Sequence, residues 1–221
     1  MAFFQPGAGR RSGKFELKVS PLPKDNVVKI GVLALQGAFE EHLDCLTRLK
    51  VEASEVRLPD ELDGLNGLVI PGGESTTMAR LMRDYGLTAP LRKLTRSGFP
   101  VMGTCAGMIV LSHKIADVGA PTLDAMDIRV HRNGFGRQID SFETDLSIPV
   151  IGKRPYPAVF IRAPFIEHIG DGVEVLARLS DGTAVAARQG NMLALSFHPE
   201  LTDDLRLHAY FLDIVRNSVK R

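Results

Sequence analysis

From residue 27 the chain runs Val27-Val28-Lys29-Ile30-Gly31-Val32-Leu33-Ala34-Leu35, apolar apart from one lysine and one glycine. A strand with one wet face would alternate polar and apolar residues. A near-continuous run with several β-branched residues predicts instead a strand buried on both faces, as in a parallel sheet. Gln36-Gly37 makes a turn. Phe39, Leu43, Leu46 and Leu49 then recur at helical spacing and predict an amphipathic helix. Residues 55–58 read as a second strand, stopped by Pro59. Residues 65–70 form a further apolar strand, cut by Pro71-Gly72-Gly73, after which Ser75, Thr76 or Thr77 is placed to cap a helix. Gly86 and Pro90 split that helical stretch. A short strand at 99–102 and a helix at 106–114 follow. Buried strands alternating with amphipathic helices predict an α/β fold: a doubly wound, mostly parallel sheet flanked by helices.

The pattern changes in the second half. Residues 128–131, 142–148, 158–162, 173–179, 183–188 and 192–197 read as strands, separated by turn-rich pieces such as Asp171-Gly172, Asp181-Gly182 and Gly190-Asn191. The short gaps predict hairpins, so antiparallel strands extend the sheet in the C-terminal half. A last helix spans 203–219, with Thr202 as its N-cap. No linker-like stretch divides residues 27–221, which are expected to form one domain. Residues 1–26 differ. Glycines and prolines punctuate them, and Arg10, Arg11, Lys14, Lys18 and Lys24 make them basic. They are expected to form a flexible extension; an organelle transit peptide is the rival reading, because acidic residues are few there.

Composition narrows the partners. A formal net charge of +1 gives no electrostatic reason to expect nucleic acid or an anionic membrane as a partner. No apolar run approaches the ~20 residues that span a bilayer. The two cysteines, Cys45 and Cys105, make neither a disulfide framework nor a metal-ligand cluster, and a reducing cytoplasm is the natural setting for a free thiolate. His113, His168 and His208 show no spacing typical of a metal site, so no metal is expected. Cys45 lies on the apolar stripe of the first helix and reads as core. His42, on the same helix, reads as a surface or capping residue.

Chemistry enters at Gly103-Thr104-Cys105-Ala106-Gly107, between a short strand and a helix. The pattern G-x-nucleophile-x-G is a nucleophile elbow with cysteine in place of serine. Its glycines permit a sharp turn and close backbone approach. The turn presents the side chain at the carboxyl end of the sheet, where α/β sites lie. A helix start favours a thiolate, and the Ala106 N–H is placed to hold a developing oxyanion. Taken alone, the pentapeptide fits equally well a tight turn with a buried cysteine. Ser196-Phe197-His198-Pro199-Glu200 closes the last strand. Residues two apart in extended chain share a side, so Glu200 can orient the His198 imidazole as base for a cysteine nucleophile. Pro71-Gly72-Gly73-Glu74-Ser75 opens a helix with a glycine-rich turn. It suits an anion, but the lysine of a phosphate loop is missing, and a second oxyanion donor at Gly73 N–H fits acyl transfer better. Arg132, in the glycine-broken segment Arg132-Asn133-Gly134-Phe135-Gly136-Arg137-Gln138, and Arg162, at a strand end, each offer a guanidinium fork for a substrate carboxylate.

In order along the chain, Leu35-Gln36-Gly37, Pro71-Gly72-Gly73-Glu74-Ser75-Thr76-Thr77, the elbow, Arg132-Asn133, Phe135-Gly136-Arg137-Gln138, Phe160-Ile161-Arg162-Ala163-Pro164 and the His-Pro-Glu segment form a set. That set resembles the class I (triad) glutamine amidotransferases and, within them, the glutaminase subunits of pyridoxal 5′-phosphate synthase, over residues 29–216. The resemblance implies a cysteine-dependent hydrolysis of L-glutamine with Cys105 as nucleophile, His198 as acid and base, and Glu200 completing the relay. It implies glutamine binding by Gly73, Glu74, Ser75, Arg132, Ile161 and Arg162, with Gly73 also at the oxyanion hole. It further implies that Gln36 sits in a loop that responds to docking of the synthase (lyase) subunit. No metal or organic cofactor is implied. Ammonia would pass to that partner in a 12+12 assembly. Two features depart from the pattern: Gly134 replaces a small non-glycine residue, and the extension 1–26 has no counterpart. Three rival readings differ in what they require. The first is the glutaminase arm of another amidotransferase, with a different acceptor partner. The second is a silent homologue, which has no need for Cys, His and Glu together. The third is a cysteine peptidase, which has no use for the Gly-Gly-Glu-Ser turn.

Overall fold

The computed structural model describes residues 28–116, 122–132 and 141–220. The basic extension 1–26 and the segment 133–140, with Gly134 and the Phe135-Gly136-Arg137-Gln138 loop, lie outside the described residues. The first half runs β1 (Lys29–Leu33), α1 (Phe39–Arg48), β2 (Glu52–Val56), β3 (Gly67–Ile70), α2 (Ser75–Asp84), α3 (Thr88–Arg96), β4 (Val101–Thr104) and α4 (Ala106–Leu111). The second half runs β5 (Ser112–Ile115), β6 (Met126–His131), β7 (Ser141–Leu146), β8 (Tyr156–Ile161), β9 (Phe165–Ile169), β10 (Glu174–Arg178), β11 (Ala184–Gln189), β12 (Met192–Leu195) and α5 (Arg206–Val219).

The main sheet has the order β2-β1-β3-β4-β12-β11-β9-β6-β5, with β10 paired to β11 off this path. β1, β2, β3, β4 and β12 are mutually parallel. β11 is antiparallel to β12, β10 and β9, and β9 to β6. This is the expected doubly wound sheet extended by antiparallel strands. β7 and β8 form a separate two-stranded sheet. The apolar runs explain the layering, because successive side chains of a strand face opposite ways. Leu68 and Ile70 point into a core with Met78, Met82, Leu91 and Met108 from α2, α3 and α4. Val69, between them, joins the opposite core with Leu46 from α1, Phe211 and Val215 from α5, and Tyr156 and Phe160 from the small sheet.

Several element boundaries move. The second strand is Glu52–Val56 rather than 55–58. It is a largely exposed edge strand and lacks an apolar run to mark it; Lys29 and Glu52 pair across it at 2.8 Å. The helix read to 114 stops at Leu111, and Ser112–Ile115 pairs in parallel with β6. All six residues of α4 are buried, so no amphipathic period marks where helix gives way to strand. β9 went unread, as Glu167 and His168 interrupt its apolar pattern. β12 ends at Leu195 and, besides its hairpin with β11, joins the parallel half through β4. Helix α2 is capped by Glu74, whose carboxylate accepts from the N–H groups of Thr76 and Thr77, and not by Ser75, Thr76 or Thr77. Thr202 does not cap the last helix, which begins at Arg206; the Thr202 hydroxyl accepts from the Asp204 N–H at 3.3 Å, and the Asp204 carboxylate accepts from the Arg206 N–H at 3.2 Å.

Candidate active site

Four adjacent parallel strands, β1, β3, β4 and β12, end on the same edge, and the motif segments follow them directly. Gly103 and Thr104 of β4 pair with Ala194 and Leu195 of β12, and Ile70 of β3 pairs with Gly103. Cys105, His198 and the Gly72-Gly73 turn thus converge although the first two lie 93 positions apart in the sequence. Two backbone bonds fix the arrangement. The Cys105 N–H donates to Leu195 O at 2.8 Å, and the His198 N–H donates to Val159 O at 2.9 Å.

The elbow is strained at Cys105. Cys105 has φ +49° and ψ −102°, a region non-glycine residues avoid at a cost of ~1–3 kcal/mol. Strain of this kind is tolerated where the surroundings hold it, and here they are tightly packed. A Cβ on Gly107 would lie 2.1 Å from Ile70 O, so only glycine lets α4 approach β3 this closely.

The Cys105 side chain opens into a pocket of about 480 Å³, and its Sγ lies 3.9 Å from Ile161 O. Gly73, Glu74 and Ser75 form one wall of this pocket, Ile161 and Arg162 another; Arg132 and His198 also line it. Ile109 completes the lining and was missed in the sequence because it reads as an ordinary core position of α4. Arg132 donates from a guanidinium nitrogen to Thr76 Oγ1 at 3.2 Å. Arg162 sits at a left-handed backbone position, φ +41°, just beyond β8. Glu74 lines the pocket while its carboxylate caps α2, accepting from Thr77 N at 2.6 Å and Thr76 N at 2.9 Å. Hydrogen bonds from the Thr77 side chain and these N–H groups hold its pKa down to about 2. Ala106 lies beneath Cys105, almost fully buried. The Gln36 amide spans the backbone of Glu74, donating to Glu74 O and accepting from Glu74 N at 3.2 Å each, and so braces the Gly73 turn from the β1 side.

Behind Cys105, His198 Nδ1 and Glu200 Oε1 lie 2.7 Å apart, the carboxylate fully shielded from water. Burial disfavours an imidazolium here, but the hydrogen bonds with Cys105 and Glu200 and their charges outweigh it and raise the His198 pKa to about 10. Burial likewise opposes a charged Glu200, and the facing His42 and His198 overcome it, holding the carboxylate below its ordinary range. Cys45, as expected, is core, with burial as the main cause of a thiol pKa near 11. His42 is not a surface residue. It is completely buried against Glu200, as is His208 beside it. Among the described residues no His/Cys/Asp/Glu group could hold a metal ion.

A doubly wound sheet extended by antiparallel strands, carrying a cysteine elbow, a facing imidazole and a carboxylate behind it, defines the class of triad-type glutamine amidotransferases. The chain belongs to the SNO glutamine amidotransferase family, whose pattern it matches over residues 32–217. It is 57% identical over 186 residues to pyridoxal 5′-phosphate synthase subunit PdxT of Pelotomaculum thermopropionicum, spanning 84% of this chain and 94% of that one. It is 54% identical over 188 residues to the PdxT subunit of Carboxydothermus hydrogenoformans, spanning 85% and 98%. A crystal structure described as a glutamine amidotransferase superposes with a TM-score of 0.81 at 50% identity, over 85% of this chain and 98% of that one. No helix among the described residues is long and apolar enough to cross a membrane.

Proposed function

We propose that this chain hydrolyses L-glutamine to L-glutamate and ammonia, and hands the ammonia to a pyridoxal 5′-phosphate synthase subunit. The observation that carries the reading is the strained Cys105 elbow opening into a pocket lined by Gly73, Glu74, Ser75, Arg132, Ile161 and Arg162, with His198 and Glu200 behind it. The Cys105 thiolate attacks the side-chain amide carbon of glutamine. The N–H groups of Gly73 and Ala106 hold the resulting oxyanion, each such donor being worth ~100–1,000-fold in rate. His198, held as an imidazolium against Glu200, gives its proton to the departing ammonia. It then takes a proton from water, which attacks the thioester and releases glutamate. Arg132, Arg162 and the Glu74–Ser75 turn anchor the α-amino and carboxylate ends of the substrate. Gln36, bound to both backbone groups of Glu74, links the docking face at the end of β1 to the oxyanion turn. The relatives named as PdxT support the synthase as partner, and we take the assembly to be 12+12, one glutaminase on each synthase chain.

The test is glutamate release from glutamine by the purified chain, with and without a pyridoxal 5′-phosphate synthase subunit. Slow hydrolysis alone and strong stimulation by the partner are expected, with Cys105→Ala reducing turnover to background while the fold is retained. Turnover indifferent to the synthase would assign the ammonia to another acceptor enzyme. Near-normal turnover by Cys105→Ala would overturn the mechanism.

A further inference from the structure

Glu200 has two oxygens, and only one is used by the triad. Oε1 meets His198 at 2.7 Å. Oε2 is buried, has no hydrogen bond within ordinary geometry among the described residues, and faces His42 Nε2 at 3.3 Å. The other nitrogen of His42, Nδ1, lies 2.9 Å from His208 Nε2. Thr104, the residue before the nucleophile, places its hydroxyl 3.2 Å from His42 Nε2. Helices α1 and α5 thus each supply a fully buried histidine to the back of the site, on the side away from the pocket.

The proton positions follow from what each atom can accept. If His42 carried its proton on Nδ1, a bare Nε2 lone pair would face the carboxylate oxygen. His208 would then have to accept at Nε2 and bear its own proton on Nδ1, a buried atom with no partner. That arrangement sets two lone pairs against each other and strands an N–H in the core, each costly. The opposite arrangement avoids both. His208 Nε2–H donates to His42 Nδ1, His42 Nε2–H is shared between Thr104 Oγ1 at 3.2 Å and the charge of Glu200 Oε2 at 3.3 Å, and the nitrogen left without a partner is an acceptor, His208 Nδ1. Burial favours the neutral form of both rings, lowering the pKa of each.

Resting on the glutaminase reading above, we propose that His42 is a positioning residue of the triad, its Nε2–H steadying the outer oxygen of Glu200 so that the carboxylate stays ionised and turned toward His198, with His208 fixing the tautomer of His42. His42 does not line the substrate pocket and acts only through Glu200. The same logic governs metal-bound imidazoles, where a partner on the second nitrogen sets tautomer and orientation. Thr104 Oγ1 shares the His42 Nε2–H, and the remaining groups around this carboxylate do not compete for the role. Cys45 from α1 and Tyr156 from β8 feel its charge, but burial keeps both protonated well above neutral pH. Arg48 and Glu41 of α1 act on the histidine pair only at a distance.

The experiment compares His42→Leu, which removes the donor, with His42→Gln, which returns an N–H, in the full chain with a synthase subunit present. Two readouts are taken: steady-state glutamate release across pH, and titration of the Glu200 side-chain carbon by NMR in protein carrying labelled glutamate, assigned with Glu200→Gln. For His42→Leu, kcat falls about 10–100-fold with the glutamine KM within twofold. The Glu200 titration and the acid limb of kcat both move to higher pH by about one unit, because a lost donor disfavours the carboxylate. His42→Gln recovers most of both. A carboxylate titration unmoved in His42→Leu, or a kcat within twofold of the unmodified chain, overturns the proposal. A shifted titration in a chain that hydrolyses no glutamine in any form upholds the geometry and sinks the glutaminase reading instead. Should His42→Leu not fold, His208→Phe tests the same chain one step back. It should shift the titration in the same direction by a smaller amount, and no shift would count against the relay.

Discussion

His198 holds its proton because Cys105 and Glu200 flank it, and that has a measurable consequence. Its folded pKa of about 10 stands above the ordinary 6.5, so the interaction stabilises the fold fully below pH 6.5 and is lost as the pH rises through about 10. On the proposed mechanism turnover should decline over the same upper range, because there the departing ammonia takes the imidazolium proton. In Cys105→Ala the thiol partner is gone, and the His198 pKa should fall; nitrogen chemical shifts of the imidazole across pH report it. An unchanged titration would mean that Glu200 alone sets the value. These residues were readable in the sequence because each sits inside a short stretch whose glycines or proline fix its geometry. His42 and His208 carry no such mark, yet spacing could have found them. His42 is three residues after Phe39 and four before Leu46, and His208 precedes Phe211 and Leu212 by three and four, which puts both on the buried stripes of their helices.

At the scale of elements, the glycines of the turns at the strand ends divide into those that hold the sheet together and those that make room for chemistry. Gly107→Ala would push a Cβ against the backbone of β3, 2.1 Å from Ile70 O, where no side chain can swing aside. A loss of ~1–3 kcal/mol is expected, which lowers the melting temperature by about 2–4 °C per kcal/mol in a chain of this size. Gly72→Ala would instead place its Cβ 2.3 Å from His198 Cε1, so the imidazole must leave its place against Glu200 while the backbone stays. Its expected signature is a larger fall in kcat per degree of melting temperature lost than in Gly107→Ala, and the reverse pattern in the pair would refute this division. Elements with strong periodicity were legible for the same reason these glycines are: β1, β3 and β4 have no exposed face, and α1 shows one stripe. β2, β5 and β9 were displaced or missed because they lie at an edge, follow a helix buried on all sides, or carry charges through half their length. In those places pairing with a neighbour, not local pattern, decides the structure.

On the scale of the whole molecule, the site exists because two sheets meet at it. The main sheet contributes Cys105, His198 and the glycine turns; the small sheet contributes Ile161 and Arg162 through β8. Three aromatic residues join them. Phe197, just before His198, packs against Phe160 and Tyr156 of β8 with ring centroids at 5.4 and 5.9 Å, and Phe160 stacks on Phe142 of β7 at 4.5 Å. The His198 N–H to Val159 O bond ties the same strands by backbone. Sequence pattern could name β7 and β8 as strands but not say that they leave the main sheet, since the pairing depends on residues far apart in the chain. The junction predicts that stability and activity separate. Phe197→Leu and Phe211→Leu each shrink a fully buried ring in the same core and should cost comparable stability, about 1–3 kcal/mol. Phe211 supports α5 at a distance from the pocket lining, whereas Phe197 sets the angle between the sheets that carry His198 and Arg162. Phe197→Leu should therefore lower kcat and raise the glutamine KM several-fold more than Phe211→Leu at equal loss of melting temperature. Equal kinetic effects from the two would show that the aromatic junction serves the core alone, and that the pocket wall of the small sheet is held by the backbone bond to Val159.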